Sequence, residues 1–412
     1  MIYTVKDRFL KYVQVDTQAD PYSETVPSTV KQKDLTALLV AELEEMNIPY
    51  KINDAGYIYA YLDANVPGVN KKVFFCAHID TAPDCSGTDV KPIVHSNYDG
   101  KDLILPDDET QVISTTKYPA LLNKMGHDII SASGKTLLGA DDKAGVAIIF
   151  DAFWQMVNNP DLPHGPVRML ITTDEEIGKG IAKVDLDLLD ADFGFTLDGG
   201  ELGSLEDENF SADAASIYIT GVATHPAYGK GVMQNASKIA GDILSALPKD
   251  RLSPETTEDK EGFIHPTKVT GSLESAQIDF ILRDFETEKL KEHAATLEAV
   301  ANAVIKNYPQ SSFKLETRKQ YRNMKDVLDQ HPYVIEIAKR AMENLGIESL
   351  VHSIRGGTDG AGLSHMGKPC PNLFAGQQAI HSKHEWVSVQ DMQKAVDTVV
   401  EICKLTAYHK SW

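Results

Sequence analysis

Residues 166–180 read PVRMLITTDEEIGKG. A short apolar run ends in three successive carboxylates, Asp174, Glu175 and Glu176. The run reads as a buried strand. Three like charges at its end repel one another, and burying even one without a partner is costly. Either the cluster lies in solvent, or something strongly positive sits in front of it. The neighbouring segments extend the pattern. KKVFFCAHID (71–80) is a second buried strand, and GADDKAGVAIIFDAFWQMV (139–157) is a loop running into an apolar helix. DADFGFTLDGG (190–200) is a shorter strand closed by two glycines. A helix is expected over 27–47, where Leu35, Leu38, Leu39, Leu43 and Met46 recur at helical spacing. Strands alternating with helices predict a mostly parallel sheet with helices on both faces.

Near residue 209 the alternation changes. NFSADAASIYITGVAT (209–224) reads as a strand, MQNASKIAGDILSAL (233–247) as a helix and TKVTGSLESAQIDFILRDF (267–285) as a hairpin about Gly271. A long helix (287–308) and a further strand (311–321) follow, and the order β-α-β-β-α-β predicts a ferredoxin-like domain. Helices expected over 331–346 and 387–409 return to the first domain. The fold class is thus α/β with a mostly parallel central sheet, over 1–208 and 321–412, interrupted by an inserted α+β domain at 209–320.

The chain has 412 residues and a net charge of −20, which argues against nucleic acid or an anionic membrane as partner. No stretch approaches the length of a membrane span, and the start, MIYTVKDRFLKYVQVD, has no signal-peptide core. Cys76, Cys85, Cys370 and Cys403 show no CxxC spacing, so reduced thiols and a cytoplasmic location are expected.

In an open parallel sheet, functional side chains gather beyond the carboxyl ends of the strands. Here those ends carry His78 and Asp80, then the Asp174–Glu176 cluster, then Asp198. The loop opening the helix at 139 adds Asp141 and Asp142, and IHSKHE adds His381, His384 and Glu385. Singly, each has an ordinary reading: a structural histidine, a solvated acidic turn, helix N-terminal charges, a surface loop. Gathered in one pocket, such carboxylates need cations, and imidazole with carboxylate and no thiolate suits zinc, cobalt or manganese. Asp80, two residues past His78, falls on the same side and can hold the ring nitrogen that faces away from a metal.

The motifs HID, LLGADDKAG, TTDEEIGKG, TLDGG, GVATHP, FILRDF, RGGTDGAGLS and PCPNLF…HSKHE together resemble the peptidase T family. Its members are tripeptide aminopeptidases of the two-zinc superfamily that includes carboxypeptidase G2-like enzymes and aminoacylases. The resemblance runs nearly end to end. It implies a zinc-peptidase catalytic domain with an inserted lid, binding two Zn2+ (Co2+ or Mn2+ as substitutes). By the same resemblance Asp141 bridges the metals, His78 and Asp198 complete one site, and Glu176 and His381 complete the other. Asp80 is the partner of His78, and Glu175 is the general base for attack of a metal-activated water. Asp174 matches no role and is expected in solvent or as a helix cap. His225 resembles the family's oxyanion histidine, supplied in dimeric relatives by the partner subunit, so a homodimer through the lid is implied. Arginine suits a peptide's terminal carboxylate, and the resemblance implies this role for Arg283 and Arg355, with Gly357 beside the latter and Asn323 as a further substrate contact; by residue type alone each arginine could be a surface salt-bridge partner. The residues before His381 in GQQAIHSKHE, and the stretch KGVMQNA, depart from the family's usual forms without changing a metal ligand. A related dipeptidase or N-acyl-amino-acid hydrolase would share this chemistry and differ only in its lid. A metal-binding protein without catalysis would have no use for Glu175.

Overall fold

The structure, a computed structural model, describes residues 4–408. The chain divides into two compact units. One comprises the chain up to Asp207, Met324–His352 and the chain from Thr358 on; the other comprises Glu208–Asn323 with Ser353–Gly357.

Among the described residues the larger unit is built on an eight-stranded sheet. Its strands are β1 (Tyr50–Ile52), β2 (Ile58–Leu62), β3 (Val73–His78), β4 (Val167–Thr172), β5 (Phe193–Gly199), β6 (Ser204–Asn209), β7 (Leu350–Ile354) and β8 (Asn372–Phe374), in the order β1-β2-β4-β3-β5-β8-β6-β7. The central run β4-β3-β5-β8 is parallel, and β1, β2 and β6 join it antiparallel. The expected α/β architecture is therefore present, with antiparallel strands at its margins. Every residue of β3 and β4 is buried, as strands covered on both faces require. Alternate side chains part to the two faces. Phe75 and Ala77 join a core with Phe9 of α1 (Val5–Tyr12), Leu39 of α2 (Gln32–Glu45), Ile148 of α3 (Ala140–Asn158), Ile337 of α4 (Pro332–Asn344) and Val396 of α5 (Val389–Tyr408). Phe74 and Cys76 face the other way, towards Tyr57, Leu170 and Leu363. No helix among the described residues is long and apolar enough to cross a membrane.

Helix α2 begins at Gln32, later than its apolar spacing predicts, because the Ser28 N–H is given to the Asp174 carboxylate instead of to a helical turn. A charged cluster lies inside this layer. The buried Arg8 guanidinium of α1 pairs with Glu42 of α2 and Asp151 of α3, and the Tyr12 hydroxyl donates to Glu42. Beside the main sheet stands a smaller antiparallel one, ordered Gln377–Gln378, Trp386–Ser388, Ile129–Ser131, Ile93–His95. Its first two strands carry between them the loop that holds His381 and Glu385.

The second unit has four antiparallel strands, ordered Phe263–Gly271, Ser275–Asp284, Ser211–Thr220, Ser312–Tyr321. Helices Ala236–Ala246 and Lys289–Ile305 pack on one face, which is the ferredoxin-like arrangement. Ile278, Phe280 and Leu282 alternate inward along Ser275–Asp284 to meet Ile239 and Leu297.

Candidate metal centre

Strands β3, β4 and β5 end side by side, with His78 paired across to Thr172. Their carboxyl ends therefore open on one place. Asp198 lies within the end of β5, and Glu175–Ile177 form a single 3-10 turn just beyond β4. Helix α3 begins there too, with Asp141 and Asp142 outside helical geometry and a cis peptide between them.

The Asp141 carboxylate occupies the middle. Its Oδ1 lies 3.1 Å from His78 Nε2 and its Oδ2 lies 3.2 Å from His381 Nε2. Asp198 Oδ1 and Glu175 Oε2 stand 3.9 and 4.0 Å from His78 Nε2, whereas Glu176 Oε2 stands 2.9 Å from His381 Nε2. Two groups result, His78–Asp141–Asp198 and Asp141–Glu176–His381, each with its ligand atoms within 4.8 Å of one another. His78 Nδ1 donates to the Asp80 carbonyl at 3.1 Å, which leaves Nε2 to face the group. The Asp80 carboxylate accepts the N–H groups of Glu175 and Glu176 at 3.0 and 3.2 Å. One aspartate thus orients a ring and fixes the turn bearing both glutamates.

Protonation equilibria report the crowding of negative charge. Burial, reinforced by Asp141, pushes Glu176 up to about 7. Burial likewise holds Glu175 and Asp198 well above the usual carboxylate range. Hydrogen bonds to Asp141 and Glu176 push His381 up to about 11. Burial opposes charge on His78, but its bonds to Asp141 and Asp80 outweigh that and raise it. Burial also works against charge on Asp141, yet its two imidazole partners pull it down. Protons and cations compete for such atoms, and two imidazoles with three carboxylates and no thiolate match a pair of divalent ions.

The structure therefore brings together His78, Asp80, Asp141, Glu175, Glu176, Asp198 and His381. Two expectations are corrected. Asp174 is not in solvent: it stands at the N-cap position of the Glu175–Ile177 turn, but its buried carboxylate, instead of capping that turn, accepts from the Ser28 N–H, the Ser28 hydroxyl and the Gln32 amide at 2.6, 2.5 and 2.6 Å. His384 stays out of both groups and meets the Tyr118 hydroxyl at 2.9 Å. Asp142 turns away to accept the His78 and Gly145 N–H groups. Only glycine fits at 145, where a Cβ would come within 2.2 Å of the Leu197 carbonyl oxygen.

Two further residues, Gln377 and Asp359, are not singled out by the sequence, and Glu385, gathered there with the candidate ligands, takes a backbone-binding place instead. Gln377 donates to Asp198 Oδ1 at 2.9 Å, and Asp359 accepts from the Thr172 hydroxyl at 2.7 Å. Glu385 accepts three backbone N–H groups beside Asp141. All three lie in quoted motifs, but their partners are far away in the chain, so no local signal marks these contacts.

The remaining candidates belong to the second unit. His225 is exposed, with Nδ1 accepting the Ala227 N–H. Arg283 is half-buried over the Tyr321 ring, 5.3 Å away, and donates to the Leu282 carbonyl. Arg355 lies over Phe210 and donates to the Asp259 carbonyl and the Thr257 hydroxyl. Among the described residues neither arginine forms an ion pair with a carboxylate. Asn323 is buried and its amide is engaged at both ends, accepting the Asn209 N–H and donating to the Phe285 carbonyl. Gly357 lies flat against Tyr321, where a Cβ would meet the ring at 2.8 Å.

A mixed α/β sheet with this carboxylate–imidazole set beyond the carboxyl ends of its parallel strands has the donor set that suits a metal-dependent hydrolase. More narrowly, the chain belongs to peptidase family M20/M25/M40, which it matches over residues 138–405. Proteins named Peptidase T from Halothermothrix orenii and Geobacillus thermodenitrificans are each 42% identical to it, over 98% and 97% of this chain and 99% and 97% of their own. Among solved structures, the aminopeptidase PepT of Bacillus cereus shares the fold with a TM-score of 0.75 at 23% identity, covering 98% of both chains. A dinuclear metal binding peptidase of the M20 family from Bacillus subtilis shares it at 0.66 and 14%, covering 97% of both.

Proposed function

We propose that this protein is a two-zinc aminopeptidase that removes the N-terminal residue of tripeptides. The observation that carries the reading is the division of the Asp141 carboxylate between His78 and His381, each with a further carboxylate at hand. His78, Asp141 and Asp198 would hold one ion, and Asp141, Glu176 and His381 the other. The pair would supply Lewis acidity, polarising the scissile carbonyl and a water. Glu175 has no motif-derived ligand role, and its partly buried carboxylate has a raised proton affinity. It is suited to take the water's proton and return it to the leaving amine, worth about 10²–10⁴-fold. Asp80 holds His78 and the Glu175 backbone in register for this exchange. In the second unit, His225 is assigned to the oxyanion, and Arg283 or Arg355, with Gly357 two residues past the latter, to the peptide's far end; the Asn323 amide is taken up by Asn209 and Phe285, so the substrate contact expected of it is not carried forward. The identity with relatives named Peptidase T supports that assignment.

The test is turnover of dipeptides, tripeptides, tetrapeptides and acyl amino acids, with and without chelator, alongside metal analysis. Tripeptides should be cleaved best, and activity should return with added zinc. Preference for acyl amino acids would instead identify the related amidohydrolase.

A further inference from the structure

We infer that Glu385 is a positioning residue for the metal pair, setting the Asp141 carboxylate between its two imidazoles. The inference rests on the two-metal reading above. Glu385 is 1% exposed, and a buried carboxylate is costly unless donors surround it. Its Oε2 accepts the N–H groups of Leu138 and Gly139 at 2.7 and 2.8 Å, and its Oε1 accepts that of Asp141 at 3.0 Å. Its own N–H closes on the Ser382 carbonyl, so the side chain extends from the same tight loop that bears His381. One carboxylate therefore ties the loop of the second imidazole to the backbone of the bridging aspartate.

The choice of residue follows from donor counting. Three N–H groups converge on two oxygens, and a glutamate supplies two acceptors. A carboxamide supplies one acceptor and turns an NH2 towards the remaining N–H. Glu385→Gln thus keeps size and shape but sets donor against donor, and the lone contact of Oε1 is with Asp141. Because Asp141 belongs to both groups, the damage should reach both ions together. Loss of Glu176 or Asp198 would reach one.

The experiment uses metal-free native protein and the Glu385→Gln variant, titrated with Mn2+ by calorimetry and by electron paramagnetic resonance. Native protein should bind two ions per chain that are magnetically coupled through a shared carboxylate. The variant should bind both about 10–100-fold more weakly, with the coupling reduced. At saturating metal its kcat should fall while KM for a tripeptide holds. Native affinity and coupling in the variant would overturn the inference. Failure of the native protein to bind a coupled pair would overturn the two-metal reading itself, a distinct result. If Glu385→Gln does not fold, Glu385→Asp takes its place, with both oxygens one methylene short. Joint weakening at both sites supports the role, and native binding refutes it.

Discussion

Glu175 and Glu176 are neighbours with the same chemistry, yet the 3-10 turn sends them to different work. Glu176 reaches His381, while Glu175 stands off from His78 at 4.0 Å. Glu175→Gln should retain about two metals per chain and lose turnover by orders of magnitude, because only proton transfer is removed. Glu176→Gln should instead lose one metal. Elemental analysis beside kinetics separates the two, and the reverse pattern would exchange their roles. His78, Asp198 and the Asp174–Glu176 cluster are legible as charged or imidazole residues at strand ends, whereas the places of Asp141 and His381 come from the family resemblance. The partners of Asp174 are not legible. Its three donors come from Ser28 and Gln32, in a segment whose approach to β4 no periodicity encodes. The arginines and His225 were legible only as residue types, because what they recognise depends on substrate.

The helical layer depends on one buried charge. Arg8 holds Glu42 and Asp151 and so joins α1, α2 and α3. Removing one partner of a buried ion set strands the rest and typically costs about 3–5 kcal/mol. Arg8→Ala should therefore shift a urea unfolding midpoint strongly downwards while turnover per folded molecule stays near native. A small shift would mean that the two carboxylates are relieved by protonation. Long periodic helices and fully apolar strands were predictable because burial imposes their pattern over many residues. The small sheet was not. Its strands run two or three residues, too short to show a period, and the central pairing joins Trp386–Ser388 to Ile129–Ser131 from opposite parts of the chain. Yet that sheet holds the loop of His381. The start of α2 departs from its spacing for a related reason: hydrophobic spacing locates a helix, whereas its first residue is set by where one N–H finds an acceptor.

For the molecule as a whole, two measurements probe how the site and the fold depend on ligands. Ligands that bind only the native state stabilise it by RT ln(1 + [L]/Kd), about 4 kcal/mol at a thousandfold excess over Kd. Chelation should lower the melting temperature, and zinc or cobalt should restore it. An unchanged melting temperature in verified metal-free protein would count heavily against a shared site. Substrate length is the second. If Arg283 or Arg355 meets a terminal carboxylate, amidating a tripeptide leaves a guanidinium without its partner, at about 2–5 kcal/mol. Amidated tripeptides should be poor substrates, and Arg283→Ala should make free and amidated forms similarly poor. Equal cleavage of both by the native enzyme would mean that length is read by shape alone. Finally, Asp141 and His381 are 240 residues apart, with the second unit encoded between them. A chain emerging from the ribosome exposes His78, Asp141, Glu176 and Asp198 long before the last imidazole exists. The first group can close early, but the second must wait for the C-terminal third of the chain, so hydrolytic competence arrives only when synthesis is nearly over.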